Sequence, residues 1–273
     1  MSNIFASLSD VDAPLLTKRV TVNPYRHGAF EIWNRLRWDL NPESWRSRKK
    51  LKAYKDRYIG KKAVIVCNGP SLLKNDLSLL EGVFTFGLNK INLLFDRSNF
   101  RPSCIVCMNS LVIDQNSDFF TQTRLPLFLN PYGMKIIKHR NNVIFIHESS
   151  QRKFAQDCSM STNYGGTVTF VAIQLAFHMG FQHVALIGCD HNFAVKGPAN
   201  LTVTSGDADN SHFDPRYFSG GVKWQLPDLP SSEFSYSMSK EAYEYSGRNL
   251  FNATDGGNLE IFPRIELKDF IAI

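Results

Sequence analysis

The stretch Ala63-Val64-Ile65-Val66-Cys67-Asn68-Gly69-Pro70-Ser71-Leu72 decides how the rest of the chain is read. An apolar, largely β-branched run stops at Asn-Gly-Pro-Ser, and an amphipathic segment with Leu72, Leu73, Leu77, Leu79 and Leu80 follows. This pattern predicts a buried strand over 63–67, a tight turn, and a helix over 71–81. Gly69 permits backbone conformations that strain other residues, Pro70 suits a first helical turn, and Ser71 can satisfy early backbone N–H groups. In an open α/β sheet such a turn lies at the carboxyl end of a strand, where ligands bind. A plain strand–helix connector would use the same residues, so both readings stand on this stretch alone.

Working outward, the alternation continues. Strands are expected at 83–89, 104–108, 127–130, 143–146, 183–188 and 248–254. Helices are expected at 91–95, 111–122, 167–179 and 238–246, the last capped near Ser237, with a short helix closing the chain. The fold class that follows is α/β: a Rossmann-like, mostly parallel sheet with helices on both faces. Residues 194–235 interrupt the alternation with Gly, Pro, Ser, Asp and aromatic residues. A loop of that length in a compact domain is commonly functional.

Hydrophobic residues make up 43% and charged residues 21% of the 273, with a formal net charge of +6, which suits a globular protein. No apolar run approaches the about 18 residues of a membrane span. The first ten residues lack the basic start and apolar core of a signal peptide. Five cysteines in mostly apolar surroundings point to a reducing, cytoplasmic setting without a disulfide framework. Cys104 and Cys107 form a CxxC, but residues three apart on a strand point to opposite faces, so they are expected to be structural rather than a metal pair.

The N-terminal part differs in composition. Residues 1–24 read as irregular, with Pro14 and Pro24. Residues 25–58 interleave Arg35, Arg37, Arg46, Arg48, Lys49, Lys50, Lys52 and Lys55 with Trp33, Trp38 and Trp45. Two helices, 28–38 and 43–57, are expected around Asn41-Pro42, with Asn41 as a cap. The chain thus divides into a basic, Trp-rich helical appendage (1–58) and a nucleotide-sugar-binding catalytic domain (59–273) whose active-site loop is 194–235. Three readings compete for the appendage: packing on the main domain with a solvated basic face, an anchor on an anionic membrane surface, and a nucleic-acid surface. Composition places the last well behind the others.

Polar residues recur where strands should end: Asn68, Asn89, Asn109-Ser110, Asn130 and Asp190. In a parallel sheet these ends share one edge, which favours a nucleotide or nucleotide-sugar crevice. Thr162-Asn163-Tyr164-Gly165-Gly166-Thr167 opens an apolar helix whose first N–H groups can receive an anion, and Gly165 and Gly166 would let a ligand approach. No Gly-Lys-Ser/Thr or GxGxxG is present, which weakens NTPase and dehydrogenase readings. In Asp207-Ala208-Asp209-Asn210-Ser211-His212, carboxylates precede a histidine that can serve as a general base. Asp207-x-Asp209 also has the form of a metal-binding pair.

Taken in order, Cys67-Asn68-Gly69-Pro70-Ser71-Leu72, Leu88-Asn89, Met108-Asn109-Ser110, Gly165-Gly166-Thr167, the strand ending at Asp190, and Asp209-Asn210-Ser211-His212 resemble bacterial sialyltransferases of glycosyltransferase family 42. Residues 165–190 and Asn252-Ala253-Thr254-Asp255-Gly256-Gly257 also resemble the domain-of-unknown-function 115 family. That family includes archaeal 6-hydroxymethylpterin diphosphokinases and motility-associated flagellin-glycosylation proteins. The first resemblance implies inverting transfer of a sialic-acid-like sugar from a CMP-sugar to a surface-glycan acceptor, with His212 as base. Asn68, Gly69, Ser71, Asn89, Asn109, Ser110, Gly165, Gly166, Thr167 and Asp190 would then hold the donor, and no metal cofactor would be required. That family's phosphate-binding tyrosines are replaced by His191-Asn192-Phe193, leaving Arg216, Tyr217, Lys196 or Lys223 to hold the leaving phosphate. The second resemblance implies the alternative of an ATP- and Mg-dependent diphosphokinase, with Asp190, Asp207 and Asp209 as ligands. Expected partners are the CMP-sugar donor, a glycan or lipid-linked glycan acceptor, and an anionic surface at the inner face of the membrane. Nucleic acid is not among them, and self-association is left open.

Overall fold

A computed structural model describes residues 23–194 and 197–273. The expected irregular stretch 1–22 and Lys196 lie outside the described residues. The helices are α1 (Pro24–Asp39), α2 (Pro42–Tyr54), α3 (Ser110–Gln115), α4 (Ser117–Gln122), α5 (Val168–His178), α6 (Leu229–Tyr245) and α7 (Leu267–Ala272). The strands are β1 (Lys62–Val66), β2 (Phe84–Leu88), β3 (Cys104–Cys107), β4 (Leu127–Leu129), β5 (Val143–Phe145), β6 (His183–Ile187), β7 (Thr202–Thr204), β8 (Lys223–Gln225) and β9 (Asn249–Asn252). Seven strands form one sheet in the order β5-β4-β3-β2-β1-β6-β9, with every neighbouring pair parallel. β7 and β8 pair antiparallel with each other within the long loop.

Continuous apolar strands are what a sheet covered on both faces requires. Ala63, Ile65 and Cys67 enter one core with Val171 and Leu175 of α5 and Tyr236 and Tyr243 of α6. Val64 and Val66 enter the other with Val112 of α3, Phe120 of α4 and Phe270 of α7. Cys104 falls in the first core and Cys107 in the second, as the period of two demands. Val64, Ile65 and Val66 are fully buried, each worth about 1.5–3 kcal/mol relative to exposure. Successive strands step outward from β1 to β5. α5, packed on β1, β2 and β3, then carries the chain back so that β6 pairs with the other side of β1. The strand order therefore reverses between β1 and β6, and a crevice opens beyond their carboxyl ends.

Several expected boundaries change. The helix expected at 71–81 is two 3-10 turns, Pro70–Lys74 and Leu77–Leu80, because Asp76 accepts from the Ser78 N–H and starts a new turn. The helix expected at 111–122 divides at Asn116 into α3 and α4. α6 begins at Leu229, well before Ser237. Asp228 caps it by accepting from the Ser231 N–H, and Pro230 sits in its first turn. α1 begins at Pro24, with Asn23 Oδ1 accepting from the Tyr25 and Arg26 N–H groups. Asn41 caps α2 as expected. The break between the two compact units falls between Arg37 and Trp38, so α2 belongs to the larger unit, packed against β5. Among the described residues, no helix is long and apolar enough to cross a membrane.

Candidate active site

The crevice is a cavity of about 190 Å³ lined by residues that follow β1, β2, β3 and β6, by the start of α5, and by the 191–193 and 211–236 segments. Its floor is short of hydrogen-bond donors. Asn68 follows β1, is buried, and donates from Nδ2 to the Leu88 carbonyl at 3.1 Å, which turns Oδ1 the other way without a partner. Asn89 follows β2 in a left-handed conformation (φ 49°), a state asparagine tolerates better than most residues, and its Oδ1 is also buried and unpaired. The Tyr217 hydroxyl is a third buried polar atom without a partner. Burial pushes the Tyr217 pKa up, and the nearby Asn89 side chain offsets part of that rise without reaching hydrogen-bond geometry. Each such orphan costs about 1–3 kcal/mol, which a ligand carrying N–H and O–H groups would recover.

The loop over this floor carries a histidine–carboxylate dyad. The Phe213 N–H donates to the Asn68 carbonyl at 2.9 Å and ties the loop to the end of β1. His212 Nδ1 lies 2.7 Å from Asp209 Oδ2. Burial raises the Asp209 pKa, but hydrogen bonds from His212, Ser211 and Phe218 outweigh it and hold the carboxyl below its ordinary value. An ionised Asp209 keeps the proton on Nδ1 and leaves the Nε2 lone pair free for a substrate proton. The His212 ring stacks on Tyr217 with centroids 3.9 Å apart and planes within 1°, and Phe218 and Phe193 meet it edge-on. The imidazole is thus fixed in both tautomer and orientation.

Beneath the dyad sits Lys90, a residue that nothing in the local sequence singles out. Its Nζ donates to the Tyr217 carbonyl (2.6 Å) and to Gln115 Oε1 (2.8 Å), and lies 4.9 Å from the Phe218 ring centroid. Burial lowers its pKa to about 8, with Cys107 and Asp209 opposing. An unfolded lysine still binds a proton between pH 8 and its ordinary 10.5, whereas the folded one releases it. At this position the unfolded state then holds more protons, so the Lys90 contribution to stability rises with pH across that window. Burial pushes the thiols of Cys104, Cys107 and Cys158 up, so their contribution falls with pH over the same range. The Lys90 contribution, at most about 1.4 kcal/mol per pH unit from pH 8 to 9.5, is therefore read in urea unfolding as a difference between variants. Lys90→Met should lower the slope of stability against pH by that contribution, and an unchanged slope in that variant would assign the titration elsewhere.

The opening turn takes an unexpected form. Asp190, following β6, reaches across to it: Ser71 Oγ–H donates to Asp190 Oδ2 at 2.7 Å, and the Ser71 N–H faces the same carboxylate at 3.3 Å. The position where this turn would receive a ligand anion is filled by the protein's own carboxylate. Ser71 serves that contact and does not line the crevice, while Asn68, Gly69 and Asp190 do. The start of α5 faces the crevice through Gly166, Thr167, Val168 and Thr169, with Thr167 Oγ1 accepting from the Thr169 N–H. Gly165 and Gly166 have a packing reason to be glycines. Both have positive φ, and a Cβ would meet Ser235 of α6 and Phe170 of α5 at the first and Ser231 of α6 at the second, so they admit the close approach of α6, while Gly166 also lines the crevice.

Other expectations are corrected. Asn109 lines the crevice but is occupied: Oδ1 caps α3 and Nδ2 donates to Gln225 of β8. Ser110 starts α3 and does not line the crevice. Arg216 points away, held by Asp214 (2.9 Å) and Asp96 (3.1 Å), and cannot receive the leaving phosphate there. Tyr217 serves as the platform under His212. Lys223 is exposed on β8 and does not line the crevice. Asp190, Asp207 and Asp209 do not converge: the first holds Ser71, the third holds His212, and Asp207 is exposed. Among the described residues no group of three His, Cys, Asp or Glu side chains is placed to hold a metal ion. In the sequence His191 stands out only as replacing a tyrosine of the resembled family, with no role of its own. It lines the crevice in a left-handed conformation (φ 53°), with Nε2 2.9 Å from Glu233 of α6.

No curated protein matches the chain. The solved structure of MAf glycosyltransferase from Magnetospirillum magneticum AMB-1 aligns with a TM-score of 0.48 at 16% identity, over 85% of this chain and 41% of that one. The chain thus spans about two fifths of that protein's length. The sequence profile described as 6-hydroxymethylpterin diphosphokinase MptE-like matches residues 40–196, more than half of the chain, and the chain belongs to that family.

Proposed function

We propose that the chain is a glycosyltransferase that moves a sialic-acid-like sugar from a CMP-sugar to a hydroxyl of a glycan acceptor, with inversion. The observation that carries this reading is the His212–Asp209 dyad, locked over Tyr217 at the edge of a crevice with unpaired acceptors in its floor. His212 Nε2 takes the proton of the acceptor hydroxyl as its oxygen bonds to the anomeric carbon. The bond from that carbon to the phosphate oxygen breaks, and its electron pair leaves with CMP. The amino group of cytosine and the ribose hydroxyls supply the donors that Asn68 Oδ1 and Asn89 Oδ1 lack.

Family membership favours a second reading, diphosphate transfer from ATP to a pterin alcohol, which also needs a hydroxyl deprotonated. Charge separates the two. Among the described residues the crevice is lined by no Lys or Arg, while Asp190 adds a carboxylate. That lining suits the single phosphate of CMP better than a triphosphate, which would have to bring its own metal. A thermal-shift screen of CMP, CDP, UDP, GDP and Mg-ATP tests the choice. At a hundredfold excess over Kd, CMP should stabilise the protein by about 2.7 kcal/mol. Stabilisation by Mg-ATP but not by CMP would replace the first reading with the second.

A further inference from the structure

α2 is pinned by one face. Ser44, Ser47 and Leu51 are buried. Ser47 Oγ accepts from the Phe145 N–H of β5 at 2.9 Å, and the Leu51 carbonyl bonds to His178 Nε2 at 2.8 Å. Lys50 is spent inward, donating to the carbonyls of Arg140 and Val143. The helix therefore cannot roll, and what it shows to solvent is fixed. That face carries Trp45, Lys49 and Lys52, spaced i, i+4 and i+7, with Arg46 beside them, all exposed. Trp45 is 61% exposed although its Nε1–H is tied to the Asp39 carbonyl. Trp45, Arg48, Lys49 and Lys52 together line a shallow depression. The helix's single carboxylate, Glu43, is turned inward and met by His139 and Arg46. Leu40, just before α2, is 73% exposed.

We propose that the outward face of α2 seats the protein on an anionic lipid bilayer. Lysines without an accompanying carboxylate select a negative surface, and an exposed tryptophan on a rigid helix belongs at headgroup depth. The same cations would repel a second copy of this face. Nucleic acid would match the charge but offers nothing to the aliphatic side chain of Leu40, which gains from the acyl boundary. The placement is independent of the reaction proposed above.

The test is co-sedimentation of the full chain with phosphatidylcholine vesicles, with and without phosphatidylserine. Binding should require phosphatidylserine and weaken with salt. Lys49→Glu/Lys52→Glu should lower it at least about 100-fold, with an unchanged melting temperature because both side chains are exposed. Trp45→Ala should lower it several-fold. Absence of binding at low salt, equal binding by the charge-reversed variant, or retention on duplex DNA without vesicle binding would each overturn the proposal.

Discussion

Replacing His212 by alanine is expected to lower kcat for sugar transfer by about 10²–10⁴ while CMP still stabilises the protein to nearly the wild-type extent. The asymmetry follows from the site's division of labour. The unpaired acceptors proposed to take the donors of the nucleotide belong to Asn68 and Asn89, on the strand ends, and the substitution leaves them in place. The group lost is the one whose ring nitrogen is left free by its bond to Asp209. Asp209→Asn should produce a comparable loss without removing the imidazole, because an amide no longer fixes the proton on Nδ1. Initial-rate measurements with donor and acceptor varied separately check both. Unchanged transfer by the alanine variant would remove His212 from the reaction. A parallel loss of CMP stabilisation would instead make His212 a binding residue.

The dyad was legible because it is local. Asp209 and His212 lie three residues apart, and a carboxylate that close to a histidine is a readable signal. The sheet was legible because strands buried on both faces leave apolar runs, and the same period separated Cys104 from Cys107 correctly. What was hidden depends on residues distant in sequence. The positive charge of Arg216 looked available until Asp96, remote in the chain, reached it. Lys90 acquires its place from Tyr217 and Gln115, neither of which is near it in sequence. The start of α6 was hidden differently: Asp228-Leu229-Pro230 is an ordinary cap and first turn, but its Gly- and Pro-rich surroundings read as continuous loop.

Gly69→Ala is expected to destabilise the fold by about 3 kcal/mol or more, a drop in Tm on the order of 10 °C. Gly69 has φ −70°, so the cost is not conformational. An alanine Cβ would overlap Asp190 Oδ2 and fall 2.7 Å from the Gly188 carbonyl oxygen. The carboxylate could swing away only by giving up its bond with Ser71, worth about 1.5–3 kcal/mol for a charged acceptor. The carbonyl is backbone at the end of β6, already accepting from the Gly69 N–H at 2.8 Å, and yields only if the ends of β1 and β6 part. Asp190→Ala alone loses the Ser71 bonds but opens space above Gly69. The double variant should therefore be less destabilised than the sum of the two, since the carboxylate can be lost only once. Additivity within about 0.5 kcal/mol would mean that Asp190 is not what the glycine accommodates. Less-than-additive behaviour has a consequence for the donor. With the turn's anion position filled from within, a phosphate entering the crevice is left with the Val168 N–H at the start of α5, since the Thr167 and Thr169 N–H groups donate to the Tyr164 carbonyl and to Thr167 Oγ1. Asp190→Ala should then retain CMP stabilisation despite its lower Tm, whereas Val168→Pro, which removes that N–H at the first helical position, where proline is tolerated, should lose it.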